Sequence, residues 1–247
     1  MNKFFYEVFE NIPRQGPGMN SATRKAYQVI RSLLPAHPSI LDIGCGKGVQ
    51  TLELAGISEG HIHALDNKPF FLKCLNEEAE KKECSDRITC IEADMNSMPF
   101  ANGSFDLIWS EGAVFIIGIR EGLSRWKKLL KPNGIIVLSD LVWLTESRPT
   151  DIASYLEEEC QYMLTIQEVL EEALKHGYRC IDHFTLPDEG WTREYFLPQK
   201  KVIADLRKKY PGNEEAVQTF DALDFEREII SRNLQYAGYE FFMFQVN

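Results

Sequence analysis

The chain predicts an α/β fold, a mostly parallel sheet with helices on both faces. Two observations carry this. Short apolar runs alternate with stretches of helical periodicity from Ile40 to Leu138, and such alternation builds a parallel sheet covered on both sides. The first run, Ile40–Ile43, breaks into three glycines at alternate positions, Gly44, Gly46 and Gly48, and a helical pattern begins at once through Val49, Leu52 and Leu54. A buried strand, a tight glycine loop and a helix start place free backbone N–H groups and a partial positive charge together. That is a cradle for a phosphate or carboxylate at the end of the first strand.

The elements follow in order. Phe4, Phe5, Val8, Phe9 and Ile12 recur at helical spacing before Pro13. Arg14-Gln15-Gly16-Pro17-Gly18 is then either a connector or a flap over the cofactor. A second helix starts near Asn20 or Ser21, which suit an N-cap, and ends at Pro35. Strands are expected at Ile40–Ile43, Ile62–Leu65, Ile88–Ile91, Phe105–Trp109 and Ile135–Leu138. Helices are expected at Val49–Ala55, Phe70–Lys82 and Arg120–Leu130, with a turn at Lys131–Gly134. Beyond the fifth strand the alternation stops. Thr145 to Tyr162 reads as an inserted helix, and Thr165 to His176 as a helix closed by Gly177. Tyr178 to Leu186 reads as a sixth strand, and Pro187 to Pro198 as an aromatic loop. Two helices, Gln199–Tyr210 and Glu214–Gln235, precede a last strand from Tyr239 to Val246.

Composition narrows the function. The 247 residues suffice for one domain with a lid. Net charge is −10, from 27 basic and 37 acidic side chains, so a nucleic-acid substrate is disfavoured. Six cysteines form no C-x-x-C pair, and no histidine stands at ligand spacing from two of them. A zinc site and a disulfide framework are therefore not expected. Free thiols, an N-terminus interrupted by Glu7 and Glu10, and no apolar run of membrane length suggest a cytoplasmic protein.

Three strand ends carry the chemistry. Asp66 closes the second strand about twenty residues past the glycine loop, where a sheet of this kind sets an acid on ribose hydroxyls. Asn67 follows it. Glu92-Ala93-Asp94-Met95 follows the third strand, and Trp109-Ser110-Glu111-Gly112 ends the fourth. The loop spacing is D-x-G-x-G-x-G, with Asp42 two residues before Gly44, rather than the G-x-G-x-x-G of dinucleotide binders. Together with Ser97-Met98-Pro99-Phe100 and Phe105-Asp106-Leu107-Ile108, this resembles the class I S-adenosylmethionine-dependent methyltransferases of the small-molecule, ubiquinone-biosynthesis-like type.

The resemblance implies a Rossmann-like seven-stranded sheet with the last strand antiparallel between strands five and six. It also implies an N-terminal helical flap (1–36), a cofactor-binding core (37–143) and a C-terminal helical and aromatic-loop elaboration (144–247). The implied cofactor is S-adenosyl-L-methionine, with Gln15, Gly16, Asp42, Gly44, Cys45, Gly46, Asp66, Asn67, Asp94, Met95, Ser110 and Glu111 around it. By resemblance Asp94 accepts from the adenine amino group and Met95 meets the ring. The implied reaction is in-line methyl transfer to a small molecule. Glu111 and Tyr195 are the candidate catalytic residues, and His183 is a further base candidate. Trp191, Tyr195 and Phe196, with Trp143, would suit a flat or cationic acceptor. A nicotinamide oxidoreductase and a non-catalytic binding module are the alternatives. No tyrosine has a lysine four residues on, which disfavours short-chain dehydrogenase chemistry.

Overall fold

The computed structural model describes residues 2–160 and 163–247. Seven strands form one sheet: β1 (Ser39–Ile43), β2 (His61–Asp66), β3 (Ile88–Glu92), β4 (Phe105–Glu111), β5 (Leu130–Trp143), β6 (Tyr178–Thr185) and β7 (Ala237–Val246). Their order is β3-β2-β1-β4-β5-β7-β6. The first five strands pair in parallel, and β7 runs antiparallel to both β5 and β6. The order reverses between β1 and β4, and in open parallel sheets the crevice beyond such strand ends takes the ligand.

Strand alternation sorts the core into two layers. Leu107, Trp109, Val137 and Phe241 face α2 (Asn20–Ile30), α3 (Val49–Ile57) and α4 (Pro69–Lys81). Ile108, Ile136, Leu138 and Phe242 face α5 (Ile119–Trp126) and α7 (Ile166–Lys175). A third cluster joins α1 (Lys3–Asn11) to α9 (Leu197–Lys209) and α10 (Glu214–Arg232), through Phe4, Val8, Ile203, Leu206 and Phe220. The N-terminal helix is thus anchored on the C-terminal half. Asn2 starts it by accepting from the N–H groups of Phe4 and Phe5 at 3.1 and 3.0 Å. Thr165 and Glu168 form a reciprocal cap on α7, and Gly177 ends it at φ 75°.

Four expectations need correction. The turn at Lys131–Gly134 is absorbed into β5, with Asn133 at φ 61°. The helix expected over Arg120–Leu130 is α5 followed by a 3₁₀ turn, Lys127–Leu129. The inserted helix is α6 (Thr150–Glu159), and its expected end at Tyr162 lies outside the described residues. The largest difference is Pro187 to Pro198. It is not a loop but helix: α8 (Asp188–Trp191), a π-helical turn (Thr192–Phe196), then α9. Proline has no N–H to give the carbonyl four residues back. Leu197 N–H bonds to Thr192 O, five back, so the register slips one residue ahead of Pro198 and the helix continues.

Asp42 shows how this fold responds to pH. Its carboxyl is fully buried on β1, with one oxygen accepting from Thr51 Oγ1 at 2.5 Å and the other without a partner among the described residues. Burial, with a lesser push from Glu111 and Asp66, raises its pKa to about 7. The folded value lies above the unfolded one. The stability it contributes is present in acid, and is lost as pH rises through about 7. Across pH 5 to 8 the wild type is expected to lose stability relative to Asp42→Asn, by on the order of a few kcal/mol. Urea unfolding of both proteins at each pH checks this.

Candidate active site

Gly44, Gly46 and Gly48 all hold left-handed φ, at 72°, 54° and 75°. Only glycine takes such a run without strain. A Cβ on Gly44 would run into Ala113 Cβ, and one on Gly46 would stand 2.6 Å from Gln15 Oε1. The loop is therefore clasped between the end of β4 and the N-terminal segment. Gly44 and Cys45 spend their N–H groups on Leu65 O at 2.8 and 3.0 Å, which ties the loop to β2.

Asp66 sits at the loop's mouth. Its Oδ2 accepts from Gly46 N–H and its Oδ1 from Lys68 N–H, both at 2.9 Å. Each oxygen has one protein donor and keeps a second acceptor direction. That pair of free acceptor directions fits the two O–H donors of a vicinal diol. Desolvation raises its pKa against the pull of those backbone N–H groups. Asn67 beside it is exposed. Met95 hangs over the loop, its methyl 3.7 Å from the Cβ position of Gly44. Asp94 is exposed. Its Oδ1 accepts from Asn96 N–H and Nδ2 at 2.7 and 2.9 Å, which lowers its pKa.

Glu111 is the best-connected acid. Oε2 accepts from Arg14 at 3.2 Å, and Oε1 from Thr23 Oγ1 at 2.7 Å and Trp109 Nε1 at 2.9 Å. Burial raises its pKa, and Arg14 opposes that. With three donors seated, Glu111 is a latch for the N-terminal loop, and its oxygens are already committed. Trp109 lies two residues back on the same strand face, so strand period could have found it. Thr23, on α2, has no sequence signal. Arg14 also bonds Asn20 at 2.9 Å, and Gly18 packs against its guanidinium.

Gln15 does not reach for a ligand. Its Nε2 donates to Phe9 O and Ile12 O, each at 3.1 Å, and its Oε1 accepts from Lys47 N–H at 2.9 Å. Lys47 Nζ donates to Glu10 O and Ile12 O at 2.6 and 3.0 Å. Gln15 and Lys47 thus rivet the end of α1 to the glycine loop. Gln15 closes one side of a narrow crevice of about 50 Å³, lined by Arg14, Gly16, Gly44, Cys45, Gly46 and Gly112 among others.

Three sequence candidates lie behind that wall. Asp42 is buried as described, and Ser110 is fully buried, giving its hydroxyl to Ile43 O at 3.1 Å. Both shape the strand ends from within and do not face the crevice. Tyr195 is 5% exposed in the helical run, and burial pushes its phenol well above the usual tyrosine range. A hydroxyl held that firmly protonated is a poor base at neutral pH. His183 is on β6, bonded to Glu240 at 2.5 Å. Trp191 and Phe196 are core residues at 4% and 2% exposure.

Arg14→Ala is expected to destabilise the protein by about 3 kcal/mol or more, because it strands Glu111 in the core. It should also weaken ligand protection of the crevice. Arg14→Lys should restore part of the stability. Urea unfolding with and without S-adenosylhomocysteine reads both effects.

Comparison with known proteins fits this geometry. Residues 40–134 match the family model described as a methyltransferase domain. A sterol 24-C-methyltransferase of Pneumocystis carinii is 28% identical over 131 residues, 53% of this chain and 35% of its own length. A sterol 24-C-methyltransferase of Gibberella zeae is 31% identical over 180 residues, 68% of this chain and 46% of its own. The chain thus spans less than half the length of these curated relatives. An S-adenosylmethionine-dependent methyltransferase from Geobacter sulfurreducens, solved with S-adenosyl-L-homocysteine, superposes with a TM-score of 0.86 at 19% identity. That match covers 100% of this chain and 99% of the other. Residues 40–134 carry a methyltransferase domain, and the chain as a whole has the fold of the class I S-adenosylmethionine-dependent methyltransferases.

Proposed function

We propose that this protein binds S-adenosyl-L-methionine in the crevice between the glycine loop, Asp66 and Gly112, and methylates a small-molecule acceptor. The observation that carries the reading is Asp66, which keeps one free acceptor direction on each oxygen beside a three-glycine left-handed loop. Asp66 holds the ribose hydroxyls. Asp94 Oδ2 is free for the adenine amino group, with Met95 against the ring. Gly44, Cys45, Gly46 and Gly16 supply close backbone approach. Arg14 has donors beyond those on Glu111 and Asn20, and these suit a carboxylate. Bound there, the cofactor supplies a methyl group already activated by its sulfonium.

The chain's share is then to bind, orient and exclude water. Alignment of this kind can supply on the order of 7–11 kcal/mol of a barrier. Glu111 and Tyr195 serve as positioning residues, since one is saturated with donors and the other held protonated. Residues 1–36 act as the flap, 37–143 hold the cofactor, and 144–247 shape an aromatic acceptor side suited to a flat or cationic molecule. Free thiols at all six cysteines suit a cytoplasmic setting.

Thermal shift with S-adenosylmethionine, S-adenosylhomocysteine and nicotinamide dinucleotides tests the cofactor. The adenosyl ligands should stabilise by about 2.7 kcal/mol at a hundred times their dissociation constant, and the dinucleotides should not. Transfer of labelled methyl to a metabolite panel tests the reaction. Stabilisation by a dinucleotide alone would contradict it.

A further inference from the structure

A second group of side chains meets the crevice at Tyr239. The Tyr239 ring stands 3.0 Å from the Cβ position of Gly112, and Trp191 meets it edge-on at 4.8 Å between centroids. Behind these rings lie α6 and α10, joined by Tyr155 against Phe225 at 5.7 Å. Leu223, Glu226 and Ile230 fall on one stripe of α10, and that stripe packs inward. Glu226 therefore points into protein, where an apolar residue is the rule. Its neighbour Arg227 pairs with Asp224 at 2.6 Å through one terminal nitrogen, and the other is buried without a partner among the described residues.

Glu226 has no hydrogen-bond or ion-pair partner among the described residues, and no cation acts on it. Its surroundings are aromatic and acidic. Tyr155 from α6, Cys160 at its C-cap, Tyr195 from the π-helical turn and Tyr239 from β7 all feel its charge. Glu159 adds to it from α6. A second acid, Asp140 on β5, acts on the same Cys160 and Tyr239, and among the described residues accepts only from Leu141 N–H. Yet Glu226, Asp140, Tyr155 and Cys160 each keep partial solvent access. They stand at the edge of the core, with Tyr195 and Tyr239 behind them at 5% and 7% exposure. The indole N–H of Trp191, at 4% exposure, is also buried without a partner among the described residues.

Uncompensated buried carboxylates are costly. Aromatic faces with acids behind them attract an organic cation through both charge and π-electrons. We propose that a recess opens here to bind an organic ammonium group of the methyl acceptor, with Glu226 as its counter-ion and Tyr155, Tyr195 and Tyr239 as its aromatic walls. The proposal rests on the methyltransferase reading and names the acceptor's class. It also gives the acceptor a direction, since Tyr239 leads from the recess to Gly112 at the cofactor crevice.

The test is calorimetric titration with choline, against its neutral isostere 3,3-dimethyl-1-butanol, with and without bound S-adenosylhomocysteine. Choline should bind at least tenfold more tightly than the alcohol. Glu226→Gln should bring the two to equal affinity while leaving S-adenosylhomocysteine affinity unchanged. Burial raises Glu226 to about 7, and a cation binds its ionised form. Choline affinity of the wild type should therefore rise about fivefold or more from pH 6 to 8, and stay flat in Glu226→Gln. Melting temperature confirms the fold of the variant, and Glu226→Asp should keep part of the preference. Equal affinity for choline and alcohol in the wild type overturns the proposal. So does undiminished choline binding by Glu226→Gln. If choline discrimination fails while S-adenosylhomocysteine still binds, only the acceptor assignment falls. If S-adenosylhomocysteine itself does not bind, the cofactor reading falls.

Discussion

Asp66→Ala is expected to weaken S-adenosylhomocysteine binding by about a hundredfold or more. Hydrogen bonds to a charged group contribute about 1.5–3 kcal/mol each, and the two oxygens of Asp66 each offer one to the ribose. The substitution has a second consequence. Gly46 and Lys68 lose the acceptor of their N–H groups, so the loop mouth loses its brace as well. Asp66→Asn keeps the shape and one acceptor, and should fall between wild type and alanine. Calorimetric titration of the three proteins measures the series. Equal affinities would mean that the acid only closes a turn.

Gly44→Ala is expected to cost the most stability and to abolish adenosyl binding with it. Left-handed φ costs a side chain about 1–2 kcal/mol, and here the new methyl also strikes Ala113 Cβ. Relief must move either the glycine loop or the chain after β4, and both line the crevice. Gly56→Ala is the control. It lies in α3 with nothing within 4 Å of its Cβ position, so alanine should stabilise by about 0.5–1 kcal/mol. The double variant Gly44→Ala with Ala113→Gly should recover part of the loss, because the two sites meet directly. Denaturant melts of the wild type and the three variants report the pattern. A mild Gly44→Ala with no rescue would show that the loop and β4 do not press on each other.

What could be read in advance followed the range of the forces involved. The core from Ile40 to Leu138 is built of short units whose period and punctuation are local, and there strands, helices and the glycine loop lie where the pattern puts them, apart from the Lys131–Gly134 turn and the end of the helix expected to reach Leu130. Asp66 was legible because its place depends only on the length of one strand–helix–strand unit. The placement of β7 between β5 and β6 was available only through family resemblance, since antiparallel insertion leaves no local mark.

Pro187 to Pro198 misled because proline and glycine usually break helices, whereas a one-residue slip in hydrogen bonding absorbed Pro198. The roles of Gln15 and Glu111 were likewise hidden. Both residues were visible as candidates, but their partners, Lys47, Phe9 and Ile12 for one and Arg14, Thr23 and Trp109 for the other, are set by tertiary contact. Glu226 gave no sequence signal at all. An acid in an acidic helix is ordinarily solvated, and only packing beside α6 takes most of it out of water.

The most direct test of the central claim is a crystal structure of the protein grown with S-adenosyl-L-homocysteine. The account predicts the ribose hydroxyls on Asp66, the adenine beside Asp94 and Met95, and the homocysteine portion running past Gly44 toward Gly112 and Arg14. A crevice left empty at saturating ligand, or the compound lodged away from Asp66 and Gly44, would contradict it.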